Sequence, residues 1–394
     1  MSEPRERLPA EADAADQGAL REAPLSEAQQ AEAKRYGRAS LACDLTERAI
    51  DVLYLVVVAV VAARPLDAWL ARFSPLANDW LRLPALFAII TAVNVAVCFP
   101  LSVYAGYVLE HKFGLSRQSF PRWLWRHAKK HALAALLGVV LVEGLYAVIR
   151  TAQDYWWIVA GGLFFLVSVI LGQLAPVLIL PLFYKIKRLA DEELTRRLAA
   201  LAEGTGLSIE GVYRMEMSAE TVKANAMLTG LGRTRRVILG DTLLDRFSQD
   251  EIAAVFAHEI GHHVHRHIPK MLAAGAIYSL AGFFICDLLV MRYVASIEPT
   301  AGYAAFPVFA LPLLLLTLQL FFMLVEPLQN AISRRFERQC DRYAVTSTKL
   351  AEAYRAALGK LARINKADLS PHPLEVFLFH SHPPIAERIA AAKE

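Results

Sequence analysis

Two histidines and a glutamate in one short stretch, His258-Glu259-Ile260-Gly261-His262, have the types and spacing best suited to chemistry in this 394-residue chain. Histidines four residues apart lie on one face of an α-helix, where both can bind the same metal ion. A glutamate beside the first histidine can reach a water molecule held at that metal. The pattern is typical of a zinc peptidase, with His258 and His262 as ligands and Glu259 as the general base.

The surroundings of this pattern matter, because H-E-x-x-H arises by chance in roughly one or two such chains per hundred. Asp250 is expected to cap a helix that buries Ile252, Phe256 and Ile260 and leaves one polar face for ligands. The alternative is a core helix whose histidines are satisfied by hydrogen bonds.

A catalytic zinc ion needs a third protein ligand. We expect Glu337, in the segment SRRFERQCDR, because Asp341 lies one turn later on the same helix face and can accept a hydrogen bond from a ligand histidine. A solvated charged helix would have the same pattern. The other candidates for the third ligand are Glu326, Glu143, Asp287 and His265. His263 and His267 are expected to face solvent or the membrane interface.

The composition indicates a multi-pass membrane protein, since 56% of the residues are hydrophobic and the mean hydropathy is +0.35. A net charge of +4 is too small to indicate a nucleic-acid partner. The four cysteines are scattered and form no C-x-x-C pair, so the metal ligands are expected to be histidine or carboxylate.

Long apolar runs predict about six membrane spans, at about 49–66, 83–107, 131–149, 155–184, 268–294 and 306–330. Six spans place the three strongly basic segments, EHKFGLSRQSFPRWLWRHAKKH, KIKRLADEELTRR and SRRFERQCDR, on one side of the membrane. By the positive-inside rule that side is the cytoplasm.

The predicted fold is mainly α, a polytopic helical membrane protein with a small cytoplasmic α+β insert that carries the metalloprotease motif. GVYRMEMS, TVKANAMLTG and RRVILGD predict two or three short strands in the insert. The expected units are a polar tail (1–40), a four-span region (41–184), the soluble insert ending in the HEIGH helix (185–267), two further spans (268–330) and a C-terminal segment with the third ligand (331–394).

Four separated segments resemble the type I integral-membrane CAAX prenyl proteases, gluzincin-like zinc enzymes that process prenylated proteins. VFAHEIGHHVHRH is similar to the metal helix of that family, and SRRFERQCDRYA to its S-R-x-x-E-x-x-x-D segment. KANAMLTGLG resembles its N-A strand, and FHSHPPIAERI its S-H-P-P-x-x-E-R segment. Members of the family usually have seven spans, and the first is replaced here by the polar tail. Cys340 stands where the family commonly has alanine.

The resemblance implies roles for residues beyond the first motif. Glu337 is implied as the third ligand and Asp341 as the hydrogen-bonding partner of a ligand histidine. Asn225 and Ala226 are implied to bind the substrate backbone at a strand edge. His382 and Arg388 are implied to lie near the reacting carbonyl, where they would stabilise the oxyanion.

These features together predict a membrane-embedded zinc endopeptidase that cuts near the C-terminus of prenylated, CAAX-like or other membrane-associated peptides. We expect one Zn²⁺ per chain, contact with membrane lipid, no nucleic-acid partner, and a site facing the cytoplasm from a bacterial inner membrane or an ER-like membrane. One alternative is a membrane quality-control metalloprotease of the HtpX type. Another is a transporter or lipid-binding chamber with a structural zinc.

Overall fold

The computed structural model describes residues 25–230 and 235–393, which are mainly helical around one small sheet. The strands are β1 (Lys185–Arg188), β2 (Ile209–Glu216), β3 (Ala226–Thr229) and β4 (Arg235–Gly240). The helices of the described ranges are, in chain order, α1 (Glu27–Val57), α2 (Ala63–Leu70), α3 (Asp79–Val103), α4 (Glu110–Lys112), α5 (Phe120–Ala152), α6 (Trp156–Leu174), α7 (Glu192–Ala202), α8 (Asp241–Leu244), α9 (Gln249–Val264), α10 (His267–Ile297), α11 (Leu311–Thr348), α12 (Ala351–Asn365), α13 (Pro373–Phe379) and α14 (Ile385–Ala391).

Long apolar helices make up the part of the described chain that can cross a membrane. By length and composition there are five candidate stretches, Glu27–Leu70, Asp79–Lys112, Phe120–Leu182, His267–Ile297 and Val308–Thr348. In the first two, π-helical turns at Val58–Ala62 and Tyr104–Leu109 join α1 to α2 and α3 to α4. The prediction of a mainly helical, multi-pass membrane protein is confirmed.

The third stretch is 63 residues long and folds back on itself. Gln153 ends α5 with a positive φ of 48°, and α6 begins three residues later. Near the start of α5, Arg126 Nη1 donates to the Phe183 carbonyl at 2.6 Å and Lys129 Nζ to the Leu182 carbonyl at 3.0 Å. Helices α5 and α6 therefore run antiparallel, and the described chain has five candidate stretches where six spans were predicted, because this one stretch contains both helices.

The soluble insert contains a sheet with the strand order β1-β2-β4-β3. β1 and β3 are antiparallel to their neighbours, whereas β2 and β4 are parallel. The prediction of two or three strands missed β1, because the charged sequence KIKR resembles a loop. Within the described residues β3 is an edge strand, so one side of it is free to bind an extended chain.

Helix α9 packs its apolar face on this sheet. Phe256 and Ile252 join Val237 and Leu239 of β4 in one buried cluster, which fixes the rotation of the helix. The expectation that Asp250 caps α9 is wrong. Ser248 is the N-cap, in a capping box in which its side chain and that of Glu251 each accept a hydrogen bond from the other's backbone N–H.

Helix α11 spans 38 residues and runs from the membrane region to the soluble part. Its distal half packs closely against α9, where Gly261 lies against Cys340. A Cβ atom on Gly261 would be 3.0 Å from the Cys340 Cα. Only a residue without a side chain allows the two helices to approach this closely.

Two of the predicted unit boundaries lie within continuous helices. Helix α1 starts at Glu27 and passes through the boundary at 40, and α11 passes through the boundary at 330. The predicted polar tail lies mainly in 1–24, outside the described residues. The remainder of it is the start of α1, so the membrane region and the soluble part share helices instead of being separate bodies.

Gly261→Ala is expected to push α9 away from α11, because the new methyl group would also lie 3.2 Å from the Cys340 Cβ. We expect a loss of stability of about 1–3 kcal/mol from overpacking, together with less bound metal. Thermal unfolding in detergent and metal analysis by mass spectrometry would measure both.

Gly359→Ala is the matched control, because nothing lies within 4 Å of a Cβ at that position in α12. Alanine favours helix more than glycine does, so this variant should keep its metal and be at least as stable. Equal metal content and equal stability in the two variants would contradict the close packing at Gly261.

Candidate active site

Three side chains predicted as metal ligands come together where α9 and α11 pack. His258 Nε2 lies 3.2 Å from Glu337 Oε2, and His262 Nε2 lies 3.3 Å from Glu337 Oε1. His258 and Glu337 are buried, whereas the His262 side chain is 25% exposed. Successive turns of α9 thus direct two imidazole nitrogens at the two oxygens of one carboxylate.

This donor set fits a divalent metal ion. Oε2 of Glu337 is buried and has no hydrogen-bond partner of acceptable geometry. A buried carboxylate oxygen is costly unless a cation or a donor satisfies it. Imidazole nitrogen and carboxylate oxygen are the ligands that bind zinc at catalytic sites. The partial exposure of His262 leaves one side of the site open to water or substrate.

Two other groups at the same place have ligand atoms within 4.8 Å of one another. In one group Cys340 joins the two histidines, and in the other Asp341 joins His258 and Glu337. Cys340 is fully buried against Gly261, away from the open side. Asp341 already accepts several hydrogen bonds. Glu337 is therefore better suited as the third ligand.

Asp341 connects His258 to a buried arginine. Its Oδ1 lies 2.9 Å from His258 Nδ1. Arg388 donates from Nη2 to Oδ1 at 2.7 Å and from Nε to Oδ2 at 3.0 Å. The Tyr354 hydroxyl donates to Oδ1 at 2.5 Å and lies 3.1 Å from His258 Nδ1. Because these groups hold Nδ1, the other nitrogen of His258 is directed at Glu337.

Charge and burial act in opposite directions on the pKa of His258. Burial lowers it, and hydrogen bonds to Asp341 and Glu337 raise it to about 9. Burial also raises the pKa of Tyr354 well above its usual range, so its hydroxyl remains a donor. Since a metal ligand must be unprotonated, metal binding competes with a proton on His258 below about pH 9.

Glu259 lies on an apolar groove between α9 and the sheet. The groove runs from the edge strand β3 to the metal helix and is lined by Ala226, Met227, Val237, Leu239, Leu243, Ile252, Val255, Phe256 and Glu259. Glu259 is its one charged lining residue. The carboxylate next to His258 thus borders a narrow apolar groove of about 10 Å³, whose walls belong largely to the buried cluster between α9 and the sheet.

His382 and Arg388 both lie near the Oε2 atom of Glu337. His382 Nδ1 is 2.7 Å from Glu337 Oε2, and its side chain is 60% exposed. Arg388 Nη2 is 3.7 Å from the same oxygen, but its guanidinium is buried and bound to Asp341. The position of His382 suits contact with a substrate, whereas that of Arg388 suits holding Asp341 in place.

Asn225 and Ala226 lie at the start of β3, beside the groove. The carbonyl of Asn225 accepts a hydrogen bond from the Gly240 amide at 2.9 Å. The residue before them is held by Asn365, which accepts from the Ala224 amide at 2.9 Å and donates to its carbonyl at 3.2 Å. The end of α12 therefore fixes the entry of this edge strand.

The other candidate ligands lie outside the site. Glu326 pairs with Arg48, accepting a hydrogen bond at 2.9 Å from its Nη2. Asp287 accepts from Trp156 Nε1 at 2.7 Å and from the Tyr303 hydroxyl at 2.8 Å. Glu143 lies in α5 and belongs to neither of the possible metal-binding groups of the described residues.

The remaining histidines of the motif have structural contacts. His265 stacks on His267, with ring centroids 5.6 Å apart. The expectation that His267 faces solvent or the interface is wrong: it is fully buried, stacked on Phe336 with ring centroids 4.1 Å apart, and its Nε2 is 2.8 Å from Gln339 Oε1. His263 Nδ1 lies 2.7 Å from Arg235 Nη1, so it too is engaged.

Sequence reasoning missed Tyr354 and Asn365. Tyr354 lies on the face of α12 that also carries the buried Ala351 and Leu358. A tyrosine on an apolar helix face needs a partner for its hydroxyl, and this is the signal that could have identified it. Asn365 has no such signal, because an asparagine at the end of a helix is ordinary.

Comparison with known proteins gives two family matches. Residues 188–394 match the family described as peptidase family M48. Residues 18–185 match the domain described as "CAAX prenyl protease N-terminal, five membrane helices". Within the described part of these residues, three stretches are long and apolar enough to cross a membrane, and the third folds back on itself.

Several relatives match over most of their length. The chain is 30% identical to CAAX prenyl protease 1 of Saccharomyces cerevisiae, covering 78% of this chain and 74% of the yeast protein. It is 28% identical to an uncharacterized metalloprotease of Bacillus subtilis, covering 87% and 80%. It is 26% identical to the CAAX prenyl protease 1 homolog of Homo sapiens, covering 80% and 73%.

The crystal structure of Ste24p from S. mikatae has the same fold. It superposes with a TM-score of 0.82 and covers 99% of this chain and 100% of that chain, at 22% sequence identity. The arrangement of membrane helices around a small sheet is therefore that of a known fold.

Arg388→Met is expected to destabilise the protein by about 3–5 kcal/mol, because it leaves Asp341 as a buried charge without its partner. The bound metal should decrease as well, since Asp341 orients His258. Thermal unfolding and metal content in detergent would measure both effects.

Arg338→Met provides the control, because Arg338 pairs with Glu387 at 2.7 Å while both side chains are about half exposed. An exposed pair contributes about 1 kcal/mol or less. Equal losses of stability in Arg388→Met and Arg338→Met would contradict the larger contribution expected of the buried Arg388–Asp341 pair.

Proposed function

Because the chain belongs to peptidase family M48 and is a membrane-spanning metallopeptidase, we propose that it hydrolyses peptide bonds with one zinc ion held by His258, His262 and Glu337. The observation that carries this proposal is the convergence of both Nε2 atoms on a buried carboxylate with an unsatisfied oxygen. When bound there, zinc would polarise the scissile carbonyl and increase the acidity of a water molecule.

Glu259 is the general base in this proposal. It follows His258 directly on α9, next to the metal ligands, and borders the narrow apolar groove that extends toward β3. It would take a proton from the attacking water and pass that proton to the leaving amine. A carboxylate suits both steps because it can accept and return the proton without moving from the helix.

His382 is proposed to contact the carbonyl oxygen as negative charge develops on it. Its Nδ1 lies 2.7 Å from Glu337 Oε2, and its side chain is 60% exposed. A proton on Nε2 would let the ring donate to the oxyanion. Arg388 is proposed to act through Asp341, which holds His258, and not on the substrate itself.

The free edge of β3 is proposed to bind the substrate backbone as an added strand, starting at Asn225 and Ala226. Asn365 supports this arrangement, because it fixes the backbone that leads into the strand.

For the substrate class we propose CAAX-like peptides that carry a lipid or are otherwise associated with a membrane. Support comes from the yeast relative, whose name describes a CAAX prenyl protease, and from the match of 18–185 to the N-terminal domain of such proteases. That domain match favours this class over a quality-control protease of the HtpX type.

The active site is proposed to face the cytoplasm. The site lies at the end of α11 that carries the basic segment SRRFERQCDR. The basic start of α5 donates to the carbonyls of Leu182 and Phe183, just before the basic strand β1, and Arg126 also pairs with Glu220 of the soluble insert. Positively charged segments next to spans are retained in the cytoplasm.

Glu259→Gln is expected to keep its metal and lose at least a hundredfold in cleavage rate, since it removes a general base without removing a ligand. Cleavage of a fluorescent peptide and metal analysis would test this together. Glu337→Ala is the companion variant and should lose the metal. Full activity in Glu259→Gln would exclude its proposed role, and a metal content of one per chain in Glu337→Ala would exclude Glu337 as a ligand.

A second experiment tests the substrate class. Prenylated and unprenylated forms of one CAAX-like peptide would be incubated with the full chain in lipid nanodiscs, with and without a chelator. We expect faster cleavage of the prenylated form and no cleavage of either form with chelator. Equal rates for the two forms would show that the lipid is not recognised.

A further inference from the structure

The short helix α13 exposes two large apolar side chains. Leu374 is 57% exposed and Phe377 is 51% exposed, and they lie three residues apart on one face. The helix directly precedes the loop that carries His382. Its exposed face is not explained by the site or by the sheet.

Hydrogen bonds hold α13 at a defined height along α11. Asn330 Nδ2 donates to the Leu378 carbonyl at 2.8 Å. Arg334 Nη1 donates to the Val376 carbonyl at 2.8 Å and to the His380 carbonyl at 2.6 Å. These contacts tie the C-terminal part of α13 to two successive turns of the long helix.

The same turns of α11 lie just beyond its lipid-facing surface. Leu324 is 81% exposed and Leu328 is 54% exposed, as expected for side chains that face acyl chains. From Leu328 the helix rises by about 3 Å to Asn330 and by about 9 Å to Arg334. The headgroup layer on each side of a bilayer is about 5–8 Å thick. With Leu328 facing acyl chains, the two turns that hold α13 therefore extend from within the headgroup layer to its outer edge.

A second membrane helix also fixes α13. The guanidinium of Arg48, in α1, lies 5.4 Å from the centre of the Phe379 ring. The same arginine forms a bidentate pair with Glu326 of α11. Because α1 and α11 both cross the membrane, these contacts keep α13 at a fixed depth.

We propose that α13 is an interfacial helix that inserts Leu374 and Phe377 into the bilayer on the side of the active site. The occupant of this face is phospholipid, because the face lies beside the headgroup layer, next to the exposed leucines Leu324 and Leu328 of the candidate span in α11. The bilayer then helps to position the chain from α13 to His382, so the geometry of the open side of the site depends on the membrane.

Spin-label accessibility tests the placement directly. The four native cysteines are all buried, so single cysteines introduced at 374 and 377 can be labelled selectively. The labelled full chain would be placed in phosphatidylcholine–phosphatidylglycerol nanodiscs and exposed to oxygen, which partitions into lipid, or to a water-soluble nickel chelate. Leu324→Cys is the lipid-facing control, and Glu352→Cys, at an exposed position of α12, is the aqueous control.

We expect Leu374→Cys and Phe377→Cys to collide more with oxygen than with the nickel chelate, as Leu324→Cys does, and Glu352→Cys to behave in the opposite way. Labels at 374 and 377 that behave like Glu352→Cys would overturn the proposal. Labels that neither reagent reaches would overturn it too, because the face would then be covered by protein.

A second experiment measures activity, and it rests on the proposed peptidase function. The double variant Leu374→Ser/Phe377→Ser should cleave a membrane-associated peptide several-fold more slowly than the unsubstituted chain in nanodiscs, and at the same rate in detergent micelles. Equal rates in nanodiscs would contradict a role of the insertion in activity. If no variant cleaves any peptide, the proposed activity fails, whereas the collision result still decides the position of α13.

Discussion

The close packing of α9 against α11 is the constraint on which the rest of the structure depends. Gly261 allows the helices to approach until Cys340 lies where a side chain would otherwise be. At that separation the two histidines of α9 reach the carboxylate of Glu337, which projects from the adjacent turn of α11. Because α11 begins inside the membrane and ends at the site, one rigid helix relates the position of the ligand to the bilayer.

Behind the ligands, a buried charged layer gives the site its orientation. Asp341, Arg388 and Tyr354 satisfy one another, and Asp341 and Tyr354 both contact the Nδ1 side of His258. Such a layer would be costly if it were incomplete, since an unpaired charge in the interior loses its hydration without compensation. The layer therefore serves mainly to orient the His258 ring. The stability of the chain comes mainly from the apolar clusters around this layer.

Hydrogen bonds and an ion pair also fix the soluble part relative to the membrane region. Leu115, in the loop after α4, accepts hydrogen bonds from the Val222 amide and the Thr221 hydroxyl. Lys223 pairs with Glu110, and the next residue is held by Asn365. The segment that leads into the edge strand β3 is thus fixed between a membrane loop and α12, so the proposed substrate edge cannot shift independently of the spans.

The sequence by itself determined the mainly helical membrane fold, the family and the proposed ligands, because apolar length and the spacing of His258, Glu259 and His262 are local properties. It did not determine the strand β1, the buried position of His267, the cap at Ser248 or the roles of Tyr354 and Asn365. Those depend on which distant side chains meet, since a charged strand or a polar residue becomes structural only when a partner satisfies it. Tertiary structure alone placed Glu337 between the two histidines, because that position follows from how far apart the helices pack.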